Sequence, residues 1–171
     1  MDSGGDGAPG LTGPAGVARP RWPTAWRPYV AAAAIGNLVW EAAHLPLYTV
    51  WRTGTARENA FAVVHCAVGD VALAMTTLAA ALLAAGNRNW PARGFWPVAV
   101  LTVLLGVGAT VFLEWLNVAV REAWAYSDLM PVLPVFGFKV GFSPLLQWAV
   151  VPSLALWRTR RHGAAGGEMV A

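Results

Sequence analysis

Charged side chains are scarce in this sequence. Asp, Glu, Lys and Arg make up 12% of the 171 residues, whereas about a quarter is usual in soluble domains. Hydrophobic residues make up 57%, so a soluble fold of this length would lack the polar surface needed to cover its core. The 10 Trp residues are also typical of proteins that reach membrane–water interfaces. The composition therefore predicts an integral membrane protein.

Other absences exclude further classes of structure and partner. Cys66 is the only cysteine, so no internal disulfide can form. The sequence has no internal repeat, the pattern from which inverted-repeat transporters are built. The net charge is +3, but the Arg residues lie singly at the ends of apolar runs and not on one basic face. We therefore expect the lipid bilayer as the partner, and no nucleic acid.

Four apolar stretches are candidates for membrane spans. A bilayer core of about 30 Å needs about 20 helical residues. A capping-box pattern from Thr55 to Glu58 marks the start of the second stretch. The sequence predicts an all-α membrane protein, a four-transmembrane-helix bundle with an interfacial loop between helices 3 and 4. The predicted spans cover about residues 28–51, 60–85, 95–120 and 140–157.

The ends of the chain differ from the spans in composition. Residues 1–24 are rich in Gly and Pro, cannot bury enough apolar area to offset their ordering entropy, and predict a disordered N-terminal tail. Residues 163–171 predict a loose C-terminal tail. The transmembrane domain is expected over residues 25–162.

The distribution of Lys and Arg predicts the orientation of the spans. The side that carries both termini and the 86–94 loop has eight of these residues, and the other side has four. Loops rich in Lys and Arg stay in the cytoplasm. We therefore predict a multi-pass protein of the inner (cytoplasmic) membrane with both termini cytoplasmic. The four on the outer side are Arg52, Arg57, Arg121 and Lys139.

Several polar side chains lie inside the predicted spans and at a similar depth. At a rise of 1.5 Å per helical residue, all of them fall in the outer half of the bundle, roughly 8–16 Å below the surface. Ionisable groups in a membrane are costly and usually face the bundle interior. We therefore expect them to converge in one pocket. They are Glu41, His44, His65, Asp70, Glu114 and Gln147.

Helical periodicity and the last loop extend this pocket. Asn37 lies four residues before Glu41, and Asn117 lies three residues after Glu114, so each shares a face with its neighbour. The 122–141 segment is too apolar for a free loop, and either lies in the interface or folds over the polar cluster as a lid. The predicted pocket-lining side chains are Asn37, Asn117, Gln147, Tyr126 and Asp128.

Metal binding is one chemistry that these residues support. Glu41 and His44 share a helical face, a pairing that carboxylate-bridged metal sites use. With His65 and Glu114 they form a candidate ligand set for a divalent metal. Haem is an alternative cofactor, because His44 and His65 lie at nearly equal depth on adjacent helices and could serve as axial ligands.

Acid–base chemistry without a metal is a second interpretation. Glu41, Asp70 and Glu114 are then the candidate catalytic groups, acting on a small lipid-like substrate. A third interpretation is a non-catalytic accessory or assembly protein, in which the same residues only fix helix packing. The residues leave open whether the chain is an enzyme, a transporter or an accessory subunit.

Overall fold

A computed structural model describes residues 22–168. Four long helices account for most of this part of the chain. The first, α1, covers Trp22–His44, and a short helix α2 covers Val50–Thr53. The other long helices are α3 (Ala56–Ala85), α4 (Phe95–Glu114) and α5 (Phe142–Glu168). The predicted disordered segment 1–24 lies outside the described residues except for its last three, which begin α1.

The sequence between α1 and α3 stops one helix and starts another. Pro46 has no N–H and disfavours helical backbone in the residue before it. The chain therefore leaves α1 after His44 and makes one 3-10 turn, Leu45–Leu47. The first predicted span, 28–51, ran through this break and was too long at that end. At the start of α3 the predicted capping box is confirmed, because the Thr55 and Glu58 side chains each accept a hydrogen bond from the other's backbone N–H.

The segment after α4, which the sequence predicted as an interfacial loop, contains regular secondary structure. The helix widens into π-helical geometry over Trp115–Val120, and an antiparallel hairpin follows, with β1 at Val132–Val135 and β2 at Phe138–Gly141. The turn residues Phe136 and Gly137 both have positive φ, the backbone of the two-residue turns that suit hairpins. The all-α prediction is therefore wrong over residues 132–141.

The four long helices pack in a ring. Helix α1 contacts α3 and α5, and α4 contacts the same two helices from the opposite side. Pairs of contacts show that α1 and α5 are antiparallel. Trp40 is bonded to Ser143 near the hairpin end, while Gly36, one turn earlier in α1, faces Val151, two turns later in α5.

Apolar side chains are found both inside the ring and on its outer surface. The inner core includes the fully buried Tyr29, Leu78, Val98 and Leu156. On the outside, large apolar residues on every long helix are more than half exposed, such as Ile35, Val68, Leu104 and Leu154. Such a surface is unusual for a soluble monomer and suits contact with lipid tails.

Three of the described helices are long and apolar enough to cross a membrane: Pro23–Leu47, Ala56–Ala85 and Phe95–Val120. The described residues therefore have the architecture of a helical membrane protein. The second and third match the predicted spans 60–85 and 95–120. Helix α5 begins at Phe142, close to the predicted 140, and continues to Glu168, into the stretch predicted as a loose tail.

Candidate functional site

A cavity of about 1120 Å³ opens at the end of the ring where α1 and α4 finish and α3 begins. Small-molecule pockets usually have volumes of about 300–1,000 Å³, so this space is large enough for a ligand. All four long helices and the segment after α4 contribute to its wall. The wall combines ionisable with aromatic side chains, among them Glu41, His44, Asp70, Glu114, Tyr48 and Trp148.

His44 is held at the cavity wall by hydrogen bonds to both ring nitrogens. Its Nε2 lies 3.0 Å from Oε2 of Glu41, one helical turn earlier, and its Nδ1 lies 3.0 Å from Oγ of Ser143 in α5. Trp40 donates its indole N–H to the same Ser143 oxygen at 3.2 Å. Glu41, His44 and Ser143 are all buried. The imidazole is therefore fixed in orientation and shares a hydrogen with the carboxyl group on one side.

The carboxylate, imidazole and hydroxyl resemble the components of a hydrolytic triad, but the hydroxyl is placed for another role. Ser143 is not among the residues that line the cavity, so its oxygen does not face the space where a substrate would lie. A nucleophile must reach the reacting atom. Ser143 is therefore a residue that positions His44.

A second group of hydrogen bonds joins α1, α3 and α5. The Nε2 amide nitrogen of Gln147 lies 3.1 Å from Asn37 Oδ1, 3.0 Å from Glu41 Oε1 and 2.8 Å from Asp70 Oδ2. An amide nitrogen carries only two hydrogens, so three oxygens share two donors. The carboxyl groups of Glu41 and Asp70 consequently meet at one nitrogen, and they also interact directly with each other.

The third acid, Glu114, is hydrogen-bonded to Tyr126, a residue of the segment that follows α4. Tyr126 donates its hydroxyl hydrogen to Glu114 Oε2 and accepts the backbone N–H of Gly141 at 2.9 Å. Burial raises the pKa of the Tyr126 hydroxyl, with the neighbouring Glu114 as a further cause, so this hydroxyl remains a donor at physiological pH. The other oxygen of Glu114, Oε1, has no hydrogen-bond partner within residues 22–168.

The remaining predicted site residues are placed in different ways. Asn117 is buried and lines the cavity. His65 also lines it, but its ring is exposed and stacks on Phe61 with centroids 5.3 Å apart. Asp128 lies in an exposed turn and is not among the lining residues. Spacing alone could not place it, because the turn directs it away from the helices.

The donor geometry does not assemble the predicted metal site. Among the described residues, no group of three or more His, Cys, Asp or Glu side chains is arranged to hold a metal ion. Both ring nitrogens of His44 already have partners, and His65 stacks on Phe61 at the exposed edge of the cavity. The haem alternative required one free ring nitrogen from each histidine, and the bonded His44 and the stacked His65 are not arranged to supply them.

The cavity is closed at its inner end. By their positions along α3, α4 and α5, the lining residues farthest from the open end are Leu73, Thr110, Gln147 and Trp148. The fully buried Tyr29, Leu78, Val98 and Leu156 fill the ring beyond them. A Cβ at Gly106 would overlap the Trp148 ring. Glycine at this position therefore allows the indole to lie flat against α4 and to close the floor.

Sequence reasoning missed Ser143 and the bridging role of Gln147. Ser143 lies four residues before Gln147, so the two share one face of α5. That spacing was the available signal, because the polar face of a helix in a membrane usually points to the bundle interior. Their partners on α1 lie about a hundred residues away and could not be identified from spacing.

Compared with known proteins, the chain matches no family model, no curated protein and no solved structure.

Proposed function

We propose that this protein binds a small amphipathic, lipid-like molecule in the cavity, with the polar end of the molecule beside Glu41, Asp70 and Glu114. The observation that carries the proposal is the combination of a ligand-sized space, aromatic walls and buried carboxyl groups in one cavity. Burial of ionisable side chains within a membrane is costly. Interhelical polar hydrogen bonds stabilise helix packing by only about 0.6 kcal/mol on average. This small stabilisation argues against a purely structural role.

The closed inner end supports binding over transport through the ring. A channel or carrier would need polar groups that continue towards the other membrane surface. Below Gln147 the centre of the ring contains large apolar side chains. The Thr102 and Thr159 hydroxyls found there bond to carbonyls of their own helices. The ligand would therefore enter and leave at the same end.

The proposal places α5 as a fourth span. Helix α5 packs along α1. Its Ser143 lies beside Trp40 of α1, and its Val151, two turns later, lies beside Gly36 of α1. Arg158 then falls near the level of Arg27, where α1 emerges. Helix α5 would thus cross the same thickness as α1, and its low average hydropathy comes from the Arg-rich end beyond the span. Together with the Lys and Arg distribution, a fourth span supports the proposal that both termini are cytoplasmic and that the cavity opens at the outer surface.

Acid–base catalysis on the bound molecule is a second candidate. It rests on the Glu41–His44 pair, whose members are hydrogen-bonded at 3.0 Å and lie at the cavity wall. Such a pair can take a proton from a substrate and return it elsewhere. The variant Glu41→Gln distinguishes the binding function from the catalytic function. A binding protein would release its ligand unchanged from wild type and variant alike, whereas an enzyme would convert it only in wild type. Mass spectrometry of the extracted ligand distinguishes these outcomes.

Two glycines allow a matched test of the binding proposal. Gly69 lines the cavity, Gly108 does not, and an added Cβ meets nothing within 4 Å at either position. In lipid nanodiscs, a panel of dodecyl amphiphiles with neutral, cationic and anionic heads should include at least one that raises the thermal unfolding midpoint. Gly69→Phe should abolish this stabilisation by filling the cavity, and Gly108→Phe should retain it. Equal stabilisation of both variants would contradict the proposal.

A further inference from the structure

No salt bridge joins a Lys or Arg of the described residues to the acids of the cavity, although Arg57 and Arg121 also line it. Every Lys and Arg in the described part of the chain has an exposed side chain. Glu41 is 8% exposed and Glu114 is 6% exposed, and Asp70 is partly buried next to them. His44 is the only basic side chain in direct contact with one of these acids within residues 22–168, and it contacts Glu41.

Unused acceptors also face the cavity. Glu114 Oε1 has no hydrogen-bond partner among the described residues, although the side chain is more than nine-tenths buried. Asn117, also about nine-tenths buried, uses its amide N–H on the Leu113 carbonyl at 2.9 Å and leaves Oδ1 without a donor. Both residues line the cavity. Neither oxygen is among the sealed, unpartnered atoms of the described residues, so both are open to the cavity, where a hydrogen-bond donor from outside the chain can reach them.

The aromatic wall suits a positive charge as well. Tyr48, Phe61 and Trp148 line the same space, and the faces of aromatic rings attract cations. A protonated amine supplies several N–H donors and a positive charge, which matches the carboxyl groups, the two free oxygens and the rings together. An anionic head among the buried groups would meet the carboxyl groups, because the two arginines of the lining, Arg57 and Arg121, have exposed side chains. A hydroxyl head would supply one donor only.

We infer that the ligand of this cavity is an amphiphile with a protonated amine head, bound by Glu114 and Asn117 with its chain along the aromatic wall. The inference rests on the proposed function, because it names the chemical class of the molecule that the cavity takes. Glu114 supplies the charge that selects the amine. Asn117 supplies a neutral acceptor beside it.

The test compares dodecylamine, dodecanol and dodecyl sulfate as probes of the full-length protein in nanodiscs. We expect dodecylamine to bind at least about tenfold more tightly than dodecanol, because a buried ion pair contributes more than a neutral hydrogen bond, and dodecyl sulfate to bind weakest. Glu114→Gln should remove the preference for the amine while leaving dodecanol within about twofold. Glutamine keeps an oxygen that accepts the Tyr126 hydroxyl. Glu122→Gln, the same change at an exposed residue outside the cavity lining, should keep the wild-type preference.

The outcomes separate this inference from the proposed function. Equal binding of amine and alcohol to wild type, or a preference for the sulfate, would overturn the amine inference and leave the binding proposal standing. A preference for the amine that persists in Glu114→Gln would overturn the role of Glu114. If none of the three probes binds, or if all bind Gly69→Phe as well as wild type, both proposals fail. The wild-type comparison decides the amine preference even if Glu114→Gln does not fold.

Discussion

At the scale of single residues, the polar cluster around Glu41 and Asp70 has few hydrogen-bond donors, because one amide nitrogen of Gln147 faces three oxygens. Glu41 and His44 were placed together by their spacing of three on one helix, and the structure has them hydrogen-bonded. Their link to Asp70 was predicted only as shared depth. In the structure Gln147 is hydrogen-bonded to both carboxyl groups, and it lies 106 residues after Glu41 in the sequence. Such long-range partners depend on tertiary packing, and no local pattern in the sequence encodes them.

Replacing Gln147 should therefore destabilise the protein. Gln147→Met keeps nearly the same volume but leaves the oxygens of Asn37, Glu41 and Asp70 without their common donor. A buried polar group left unsatisfied costs about 1–3 kcal/mol, and we expect a loss of that order in the free energy of unfolding in detergent micelles. Ser153→Ala on the same helix is the control, because that exposed hydroxyl bonds only to the Ala149 carbonyl. Similar losses in the two variants would contradict this role of Gln147.

At the scale of secondary-structure elements, the contact between α4 and α5 includes one position where a side chain larger than glycine would overlap the facing helix. The stripe from Gly106 through Thr110 to Glu114 could be predicted from the sequence, because small residues at helical spacing allow close approach. All three are buried. The contact between Trp148 and Gly106 could not be predicted, because the sequence did not predict the hairpin that connects α4 and α5.

Gly106→Ala and Gly108→Ala make a matched pair on α4. The added methyl at Gly106 would overlap the Trp148 ring, whereas at Gly108 it meets nothing within 4 Å. Overpacking typically costs about 1–3 kcal/mol, so Gly106→Ala should lower the unfolding midpoint and change the tryptophan fluorescence as Trp148 moves. Gly108→Ala should be neutral or slightly stabilising, because Ala favours helix more than Gly does. Equal midpoints and spectra would show that α4 and α5 do not meet at this position.

The β-hairpin was the largest departure from the predicted elements, and its cause is in the residues. Pro134 lies within β1, and proline disfavours strands except at edges. The turn residues Phe136 and Gly137 differ from the Asn-Gly pair that usually marks a hairpin. The apolar run therefore resembled the beginning of a membrane span. A two-stranded sheet is stable here because the Pro131 carbonyl and the Tyr126 hydroxyl bind its end.

Tyr126→Phe should loosen this hairpin without unfolding the helices. The change removes the donor to Glu114 and the acceptor for the Gly141 N–H. Amide hydrogen exchange measured by mass spectrometry should become faster in peptides that cover residues 126–141 and stay unchanged in α3. Tyr48→Phe is the control, since its hydroxyl has no hydrogen-bond partner among the described residues. Faster exchange in both variants would indicate a general loss of packing and not the loss of these two bonds.

The same hydroxyl predicts how stability depends on alkaline pH. Burial raises the pKa of Tyr126, so the folded protein holds this proton more tightly than the unfolded chain does. Its contribution to stability is complete below about pH 10, the ordinary tyrosine value, and is lost as the pH rises towards the higher folded value. Wild type should therefore lose more stability than Tyr126→Phe between about pH 9 and pH 11. Chemical denaturation at each pH measures the difference, and parallel curves would exclude Tyr126 as a contributor.

At the scale of the whole molecule, composition was the most reliable guide. Low charge and long apolar runs predicted a helical membrane protein, and the described residues have that architecture with three helices long and apolar enough to span. Helix α5 is less apolar than these three helices, and Arg158, Arg160 and Arg161 lie in its second half. These residues sit beside aromatic rings, with Arg160 over Phe95 at 5.1 Å and Arg161 over Trp157 at 3.7 Å.

Orientation in the membrane is the prediction that follows at this scale. Arginines beside aromatic rings at the end of α5 suit the cytoplasmic interface, where Lys and Arg concentrate and Trp is enriched. The end of α5 and the start of α4 share this interface, because Arg160 lies over Phe95, the first residue of α4. The hairpin must then lie on the opposite surface, together with the mouth of the cavity. A ligand would reach the cavity from outside the cell.

Reporter fusions test this orientation at three positions. Fusions after Gly163 and within residues 86–94 should both report the cytoplasm, and a fusion at Gly137 should report the outside. The three results must agree, because helices that cross the membrane an odd number of times separate the hairpin from the other two positions. If α5 lay along the surface instead of crossing, the fusion after Gly163 would report the same side as Gly137. Neutralising the inner cluster with Arg158→Gln, Arg160→Gln and Arg161→Gln should weaken the bias without reversing it, since Arg88 and Arg93 remain on that side.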